Sequence, residues 1–253
     1  MADGQIVLFD IPSKPPLDAW SLNPWKTRLI LHFKGLDYRT EWLEYPEIAP
    51  RLKDHVEPWP ANPRTNSAGT THTIPTVILP SGEYIMDSRK IANRLEELYP
   101  SPPLHLDSPY QAKIESAMNK IMNHISPVYI PLIPKRILNE ASHPHWYRTR
   151  EITEGMDLDT LWETQGGQKA FDALEQSGDL QEVTGWLKEN DEGPFFLGKE
   201  VSYADFVWVG FLVFIKRIGE EDVYGEILKR SGDAGVHERL LDAVKQWTVR
   251  NDH

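Results

Sequence analysis

Trp20-Ser21-Leu22-Asn23-Pro24-Trp25-Lys26-Thr27-Arg28, running on to Lys34-Gly35, is the stretch on which the reading of this 253-residue chain turns. Asn23-Pro24 predicts a helix start, an N-cap side chain followed by proline at the first helical position, where a missing N–H costs nothing. Trp25 to Lys34 continue that helix until Gly35. Upstream, Ile6-Val7-Leu8-Phe9-Asp10-Ile11 is a short β-branched and aromatic run stopped by Pro12, which reads as a buried strand and then a loop. Ser21 is thereby placed after a first strand and at the N-terminus of a first helix. Free backbone N–H groups and the positive end of the helix dipole make that place suit an anion.

Outward from there, Tyr38-Arg39-Thr40-Glu41-Trp42-Leu43 alternates as a second strand, and Pro46 to Asn66, with five prolines, predicts an irregular segment. Thr76-Val77-Ile78-Leu79 and Tyr84-Ile85-Met86, joined by Pro80-Ser81-Gly82-Glu83, form a β-hairpin. Ser88 then opens a helix whose Ile91, Leu95, Leu98 and Tyr99 share one face. The order β-α-β, long loop, β-β-α is that of a thioredoxin-like α+β domain, residues 1–100. A proline-rich linker, 101–109, leads to an all-α domain over 110–253. There Met118, Met122, Ile125 and Tyr129 form a stripe along a helix that Pro127, Pro131 and Pro134 are expected to kink or end. Ser202-Tyr203-Ala204-Asp205 reads as a capping box with Val201 and Phe206 at the staple positions, a strongly specified start for the most apolar helix.

Composition narrows the chemistry. The chain has no cysteine, which excludes disulfides, thiolate metal sites, a cysteine nucleophile and a Cys-x-x-Cys redox pair. Any sulfur chemistry must use a thiol brought by another molecule. Lys and Arg number 27 against 38 Asp and Glu, a net charge of −11, which argues against a nucleic-acid partner. Residues 1–100 carry a net −2 and residues 101–253 a net −9, so an anionic small molecule meets less repulsion at the first part. The start, Met1-Ala2-Asp3-Gly4-Gln5, has no basic n-region with an apolar core, and a cytoplasmic location is expected. The longest apolar run, Phe206 to Ile215, is half a bilayer span; a buried helix and no membrane partner are expected. His143-Pro144-His145 lacks an accompanying ligand pattern and reads as surface, with no metal site.

Three short motifs converge. A Ser21 hydroxyl at the helix start can donate a hydrogen bond to a thiolate. Lowering a thiol pKa by about two units from roughly 8.5 takes about 2.7 kcal/mol of preferential thiolate stabilisation. A charge-assisted hydrogen bond of about 1.5–3 kcal/mol with the dipole's share covers that. Thr73-Ile74-Pro75-Thr76 puts a proline directly before a strand, and a cis Ile74-Pro75 bond turns the Ile74 backbone outward to pair with an extended peptide. Asp87-Ser88 ends the hairpin and caps the next helix, so Ser88 with its neighbouring N–H groups suits a carboxylate and Asp87 an ammonium. A site for a thiol, one for a peptide backbone and one for an amino-acid head group together describe a receptor for glutathione.

With Ser21-Leu22-Asn23-Pro24-Trp25-Lys26-Thr27-Arg28 and Lys34-Gly35, the chain resembles the glutathione transferase superfamily over nearly its whole length. It is similar to the fungal-specific class A (FuA) transferases and, more distantly, to bacterial β-etherases, which share a Ser-x-x-x-Trp-(Lys/Arg)-Thr pattern. The resemblance implies a glutathione transferase fold and glutathione as cosubstrate. It gives Ser21 the role of thiolate-stabilising serine with Asn23 as helper, Ile74-Pro75 that of backbone clamp, and Asp87-Ser88 that of the pair for the γ-glutamyl end. Ser202 and Asp205 take a folding role. For the glycyl carboxylate His55, Arg64, Thr71 and His72 all stand as candidates. The resemblance also implies a homodimer and hydrophobic or aromatic electrophiles, with conjugation, peroxide reduction and β-aryl ether cleavage open. Met118, Met122 and Tyr129 are core or pocket. The alternatives to an enzyme are a ligandin-type carrier of hydrophobic plant or wood compounds, which nine tryptophans suit, and an assembly module.

Overall fold

The computed structural model describes residues 4–16, 18–59 and 71–250. Strand β1 (Ile6–Asp10) is buried along its whole length and pairs in parallel with β2 (Tyr38–Trp42), Ile6 facing Tyr38 and Asp10 facing Trp42. β3 (Thr76–Ile78) runs antiparallel to β1 on its other side and to β4 (Tyr84–Met86) beyond, giving the order β2-β1-β3-β4. Helix α1 (Leu22–Phe33) connects β1 to β2, and α3 (Ser88–Leu98) follows β4. This is the expected α+β arrangement, and an all-helical part follows it.

Two local expectations are corrected. Helix α1 begins at Leu22 with Ser21 as its N-cap residue, extended at φ −74° and ψ 132°, so Asn23 and Pro24 lie inside the first turn. Pro24 is tolerated there because the first four N–H groups of a helix have no intrahelical acceptor. The segment after Pro46 is not all irregular, for α2 spans Tyr45–Leu52. Glu44 and Glu47 form a reciprocal capping box and Pro46 lies in the first turn, start signals that outweigh the proline content.

Asp10 and Arg28 fix α1 to the sheet. Both side chains are wholly buried, with Arg28 Nε donating to Asp10 Oδ2 at 2.9 Å. The guanidinium also donates to the Tyr38 hydroxyl at 3.2 Å and to Thr40 Oγ1 at 3.0 Å, so one side chain spans β1, α1 and β2. At the other end of the helix, buried Lys34 donates to Glu96 and to the carbonyls of Tyr99 and Pro102, tying the proline-rich segment after α3 to α1.

In the helical part, α4 (Gln111–His124) and α5 (Ser126–Arg136) divide the expected stripe at Ile125, and Pro131 and Pro134 sit within α5 instead of ending it. There follow α6 (His143–Glu154), α7 (Leu158–Gln165), α8 (Gln168–Ser177), α9 (Asp179–Lys188) and α10 (Tyr203–Ile218). The short α11 (Glu226–Lys229) and α12 (Ala234–Val244) complete it. No described helix is long and apolar enough to cross a membrane.

Helix α10 is the central beam of this half. Its capping box forms as read, with Asp205 accepting from the Ser202 N–H at 2.7 Å, the Ser202 hydroxyl at 2.8 Å and the Phe196 N–H at 2.9 Å. It packs along α1, and Gly210 is the point of closest approach. A Cβ there would stand 3.0 Å from the Leu22 carbonyl oxygen and 3.5 Å from Lys26 Cγ. Trp247 closes the seam from outside, edge-on to Phe33 and Phe206. On the far side of α10, Trp208 Nε1 donates to His237 Nδ1 at 2.9 Å, and His237 Nε2 lies 2.9 Å from Thr184 Oγ1.

Gly210→Val is expected to push α1 from α10, destabilising the protein by about 1–3 kcal/mol in urea denaturation and displacing Ser21 with α1. Burial lowers the His237 pKa from 6.5 to about 4. Its folded value lies below its unfolded value, so its contribution is full above about pH 6.5 and declines as pH falls toward 4. Buried Asp205, pushed up to about 6, has the opposite sign and favours the folded state most at low pH. The stability difference between wild type and His237→Asn should therefore shrink by about 3 kcal/mol from pH 7 to pH 4. A pH-independent difference would contradict this.

Candidate functional site

A cavity of about 510 Å³ lies where the N-terminus of α1 and residues 71–74 face α4, α5, α6 and α10. Ser21 is half-buried in its wall. Its carbonyl accepts from the Trp25 N–H at 3.2 Å, while its hydroxyl makes no capping bond. The hydroxyl and the open end of α1 are therefore available to a molecule in the cavity, the anion-suited arrangement of a helix start.

Asn23 also lines the cavity, and its Oδ1 accepts from Lys26 Nζ at 2.8 Å. That bond commits the carbonyl side of the amide and leaves the NH2 side to donate. Lys26 lies in the same wall with its stem against Gly210. Burial pushes its ammonium down to about 8, against the pull of Glu115 and Asp87.

Ile74 completes this side. The Ile74-Pro75 bond is cis, Ile74 lines the cavity, and its N–H and C=O make no backbone hydrogen bond to the described residues. The surrounding turn is held firmly. Trp59 Nε1 donates to Thr73 Oγ1 at 2.7 Å, Thr76 Oγ1 to the Thr73 carbonyl at 3.0 Å, and the Asp87 N–H to the Pro75 carbonyl at 3.1 Å. That last bond couples the turn to the start of α3. Asp87, at φ 92°, caps α3 by accepting the N–H groups of Arg89 and Lys90 at 2.9 and 3.0 Å on Oδ1, leaving Oδ2 outside these bonds. Ser88 is buried beside the Tyr203 phenol, whose pKa burial raises above the usual range. Pro75, Asp87 and Ser88 are not in the cavity wall itself, but adjoin it through the turn and through the attraction between Asp87 and Lys26.

Of the carboxylate candidates, Thr71 and His72 line the cavity and His55 does not. His72 is bonded on both ring nitrogens, to Thr71 Oγ1 and the Val56 carbonyl, and His55 stacks on Tyr84 at 4.3 Å. Arg64 lies outside the described residues.

The rest of the wall mixes aromatic and apolar side chains with polar ones, among them Asn119, Asn123, Ser126 and Glu154. Beside Ser21, Trp20 stacks on Phe214 at 6.3 Å, and Tyr129 meets Phe214 edge-on at 5.5 Å. Met118, Met122 and Tyr129 face the cavity, whereas Ile125 of the same stripe is in the core. At the end formed by α2 and α6 stand Tyr45, His145, Trp146 and Arg150. His145 is a correction: it lines the cavity and stacks on Tyr45 at 5.7 Å, while burial and the charges of Arg148 and Arg150 lower its pKa. His143, its companion in the sequence, bonds the Leu138 carbonyl. Lys26, Tyr45 and Arg150 escaped the sequence reading as site residues. A helical spacing was the available signal for Arg150, since Trp146, Thr149, Arg150 and Thr153 share one face of α6 and all four line the cavity. The cavity thus brings together an uncommitted hydroxyl at a helix start, a peptide backbone without a strand partner and a chamber in which aromatic rings predominate beside a few polar groups.

Comparison with known proteins gives matches on both halves. The glutathione S-transferase N-terminal domain family matches residues 20–98, and the glutathione S-transferase C-terminal domain family matches residues 110–247. A glutathione S-transferase-like protein, ustS, from Aspergillus flavus is 30% identical over 94% of this chain and 89% of its own length. Among solved structures, a glutathione S-transferase of Ceriporiopsis subvermispora in complex with glutathione is similar with a TM-score of 0.81 and 31% identity, covering 98% of this chain and 100% of that one. Glutathione transferase GSTFuA3 from Phanerochaete chrysosporium is similar with a TM-score of 0.79 and 25% identity, covering 96% and 97%.

Proposed function

We propose a function from one premise: this chain belongs to the glutathione S-transferase family. Its cavity holds glutathione with the thiol at Ser21 and presents the thiolate to an aromatic or lipophilic electrophile lodged against α4, α5 and α6. The observation that carries this reading is the meeting in one cavity of the uncommitted Ser21 hydroxyl at the start of α1, the open Ile74 backbone before cis-Pro75 and the aromatic wall. The complex of the Ceriporiopsis relative with glutathione supports it.

In this arrangement the cysteinyl N–H and C=O of glutathione pair with Ile74 as a short added strand. The γ-glutamyl carboxylate lies at the Ser88 N–H and hydroxyl, and its ammonium faces Asp87 Oδ2. The thiol then reaches the start of α1. Its proton leaves to solvent, and the thiolate is held by a hydrogen bond from Ser21 Oγ–H, by the dipole of α1 and by the nearby positive charge of Lys26. Asn23, with its carbonyl committed to Lys26, directs its NH2 donors toward the same anion. The S–C bond forms as the sulfur lone pair attacks the electrophilic carbon, and the displaced electron pair goes to the leaving group or to an adjacent acceptor carbon. The protein orients and stabilises while glutathione supplies the nucleophile. Thr71 and His72 are the described candidates for meeting the glycyl end. Thioether formation, peroxide reduction and ether cleavage share this activated thiol and differ in what the aromatic chamber admits. A homodimer in the cytoplasm accords with this reading.

The aromatic chamber also favours a second reading, a carrier that binds hydrophobic compounds without turning them over. The two readings separate on Ser21→Ala. For an activated-thiol enzyme the conjugation rate with a benzyl halide near pH 7 falls about tenfold to a hundredfold, while calorimetry shows glutathione affinity nearly kept. Loss of affinity in step with rate would make Ser21 a binding residue only. Saturable quenching of tryptophan fluorescence with no turnover of any electrophile would favour the carrier.

A further inference from the structure

The end of the cavity between α2 and α6 carries a cation that thiol activation does not use. Arg150 projects from the cavity-facing side of α6, and its guanidinium lies 4.5 Å from the Trp146 ring centre. Trp146 is itself locked, its Nε1 donating to the Ile130 carbonyl at 3.0 Å. The Tyr45 phenol also adjoins Arg150, and it stays neutral because burial raises its pKa. A planar guanidinium with one face on an indole has in-plane donors to offer.

Nothing described neutralises it. Among the described residues, no carboxylate forms an ion pair with Arg150, although Lys and Arg ion pairs are present elsewhere. Glu154, one turn further along α6, lines the same cavity without pairing to it. The neighbouring polar groups on this face are turned inward, Thr149 donating to the carbonyls of His145 and Trp146 and Thr153 to that of Thr149. Arg150 is thus an oriented cation without an ion-pair partner, beside the rings of Trp146 and Tyr45.

From this geometry we infer that the cavity selects aromatic ligands bearing a carboxylate, the ring lying in the chamber and the carboxylate taking a bidentate bond from Arg150. The inference rests on the proposed electrophile cavity. It narrows the substrate class to aromatic acids whose reactive carbon points back toward Ser21. Arg150 is a specificity-determining residue, and the reaction it serves is unchanged: with a benzylic bromide, sulfur bonds to the benzylic carbon as bromide departs with the bonding pair.

The experiment uses the full chain and matched probes. Calorimetry measures binding of 2-naphthoate and of neutral 2-naphthamide to wild type, Arg150→Gln and Arg150→Lys, with glutathione binding and thermal melting as controls of folding. The ratio of kcat/KM for 4-(bromomethyl)benzoate over 4-(bromomethyl)benzamide is measured on the same three proteins. The acid should bind wild type tighter than the amide, and Arg150→Gln should lower both the affinity ratio and the kcat/KM ratio by about tenfold to a hundredfold, the range of a charge-assisted hydrogen bond. Arg150→Lys, keeping the charge but losing the fork, should fall between. Equal weakening of acid and amide, or no preference for the acid in wild type, would overturn the inference. If neither bromide is turned over but naphthoate binding still depends on Arg150, the thiol-transfer reading fails and the anion subsite stands. If both bromides are turned over without discrimination, the anion subsite fails and thiol transfer stands.

Discussion

The buried pair of Asp10 and Arg28 sets the position of α1 and with it the Ser21 end of the cavity. One strand end and one helix are locked together by a 2.9 Å charge-assisted bond from which water is excluded. Such a pair adds little net stability because both ions lose their hydration, but leaving either one alone costs about 3–5 kcal/mol. Its use here is registration: α1 has one rotation about its axis and one height above the sheet at which Arg28 meets Asp10, Tyr38 and Thr40 together. With α1 so placed, Leu22 and Lys26 meet Gly210, and the start of the helix, with Ser21, faces the cavity. Ser21 and Arg28 are seven positions apart in the chain, so one short run of sequence both builds the site and fixes it in place.

The second half acts on the first through close packing more than through polar contact. Helix α10 is apolar nearly all round, starts at a fully satisfied capping box and offers Gly210 where α1 must approach. Interiors are packed densely enough that a shift of one helix is transmitted to its neighbour. The aromatic wall depends on the same seam, since Phe214 of α10 is the ring on which both Trp20 and Tyr129 pack. The charges around this chamber are Lys26, near Ser21, and Arg150 and Glu154 on α6.

Local signals in the sequence were legible wherever one residue type has one physical use. The proline at 75 before a strand, the Ser202–Asp205 capping box and the period-2 and period-3.6 patterns pointed to the sheet part, the cis turn and the buried beam. Proline content misled over α2, because a proline in the first turn costs little; the expected break of the Met118–Tyr129 stripe does fall just before Pro127, while tertiary packing holds Pro131 and Pro134 within α5. Asn23 read as the cap because the Asn-Pro pair is a strong start signal, yet the extended backbone at Ser21 begins the helix two residues earlier. What the sequence could not reveal was convergence. Tyr45 comes from α2 and His145 and Arg150 from α6, and only the packing of α6 against α2 brings them to one wall. His145 looked like surface because a histidine beside a proline carries no sign of the tyrosine that will stack on it.

The central claim is that Ser21 and the start of α1 favour the ionised thiol, and the direct measurement is the ultraviolet thiolate absorbance of bound glutathione titrated with pH. The account expects half-ionisation about two units below the roughly 8.5 of a free thiol, returning most of the way to it in Ser21→Ala. An unshifted titration of bound glutathione in the wild-type protein, or one that Ser21→Ala leaves unchanged, would contradict it.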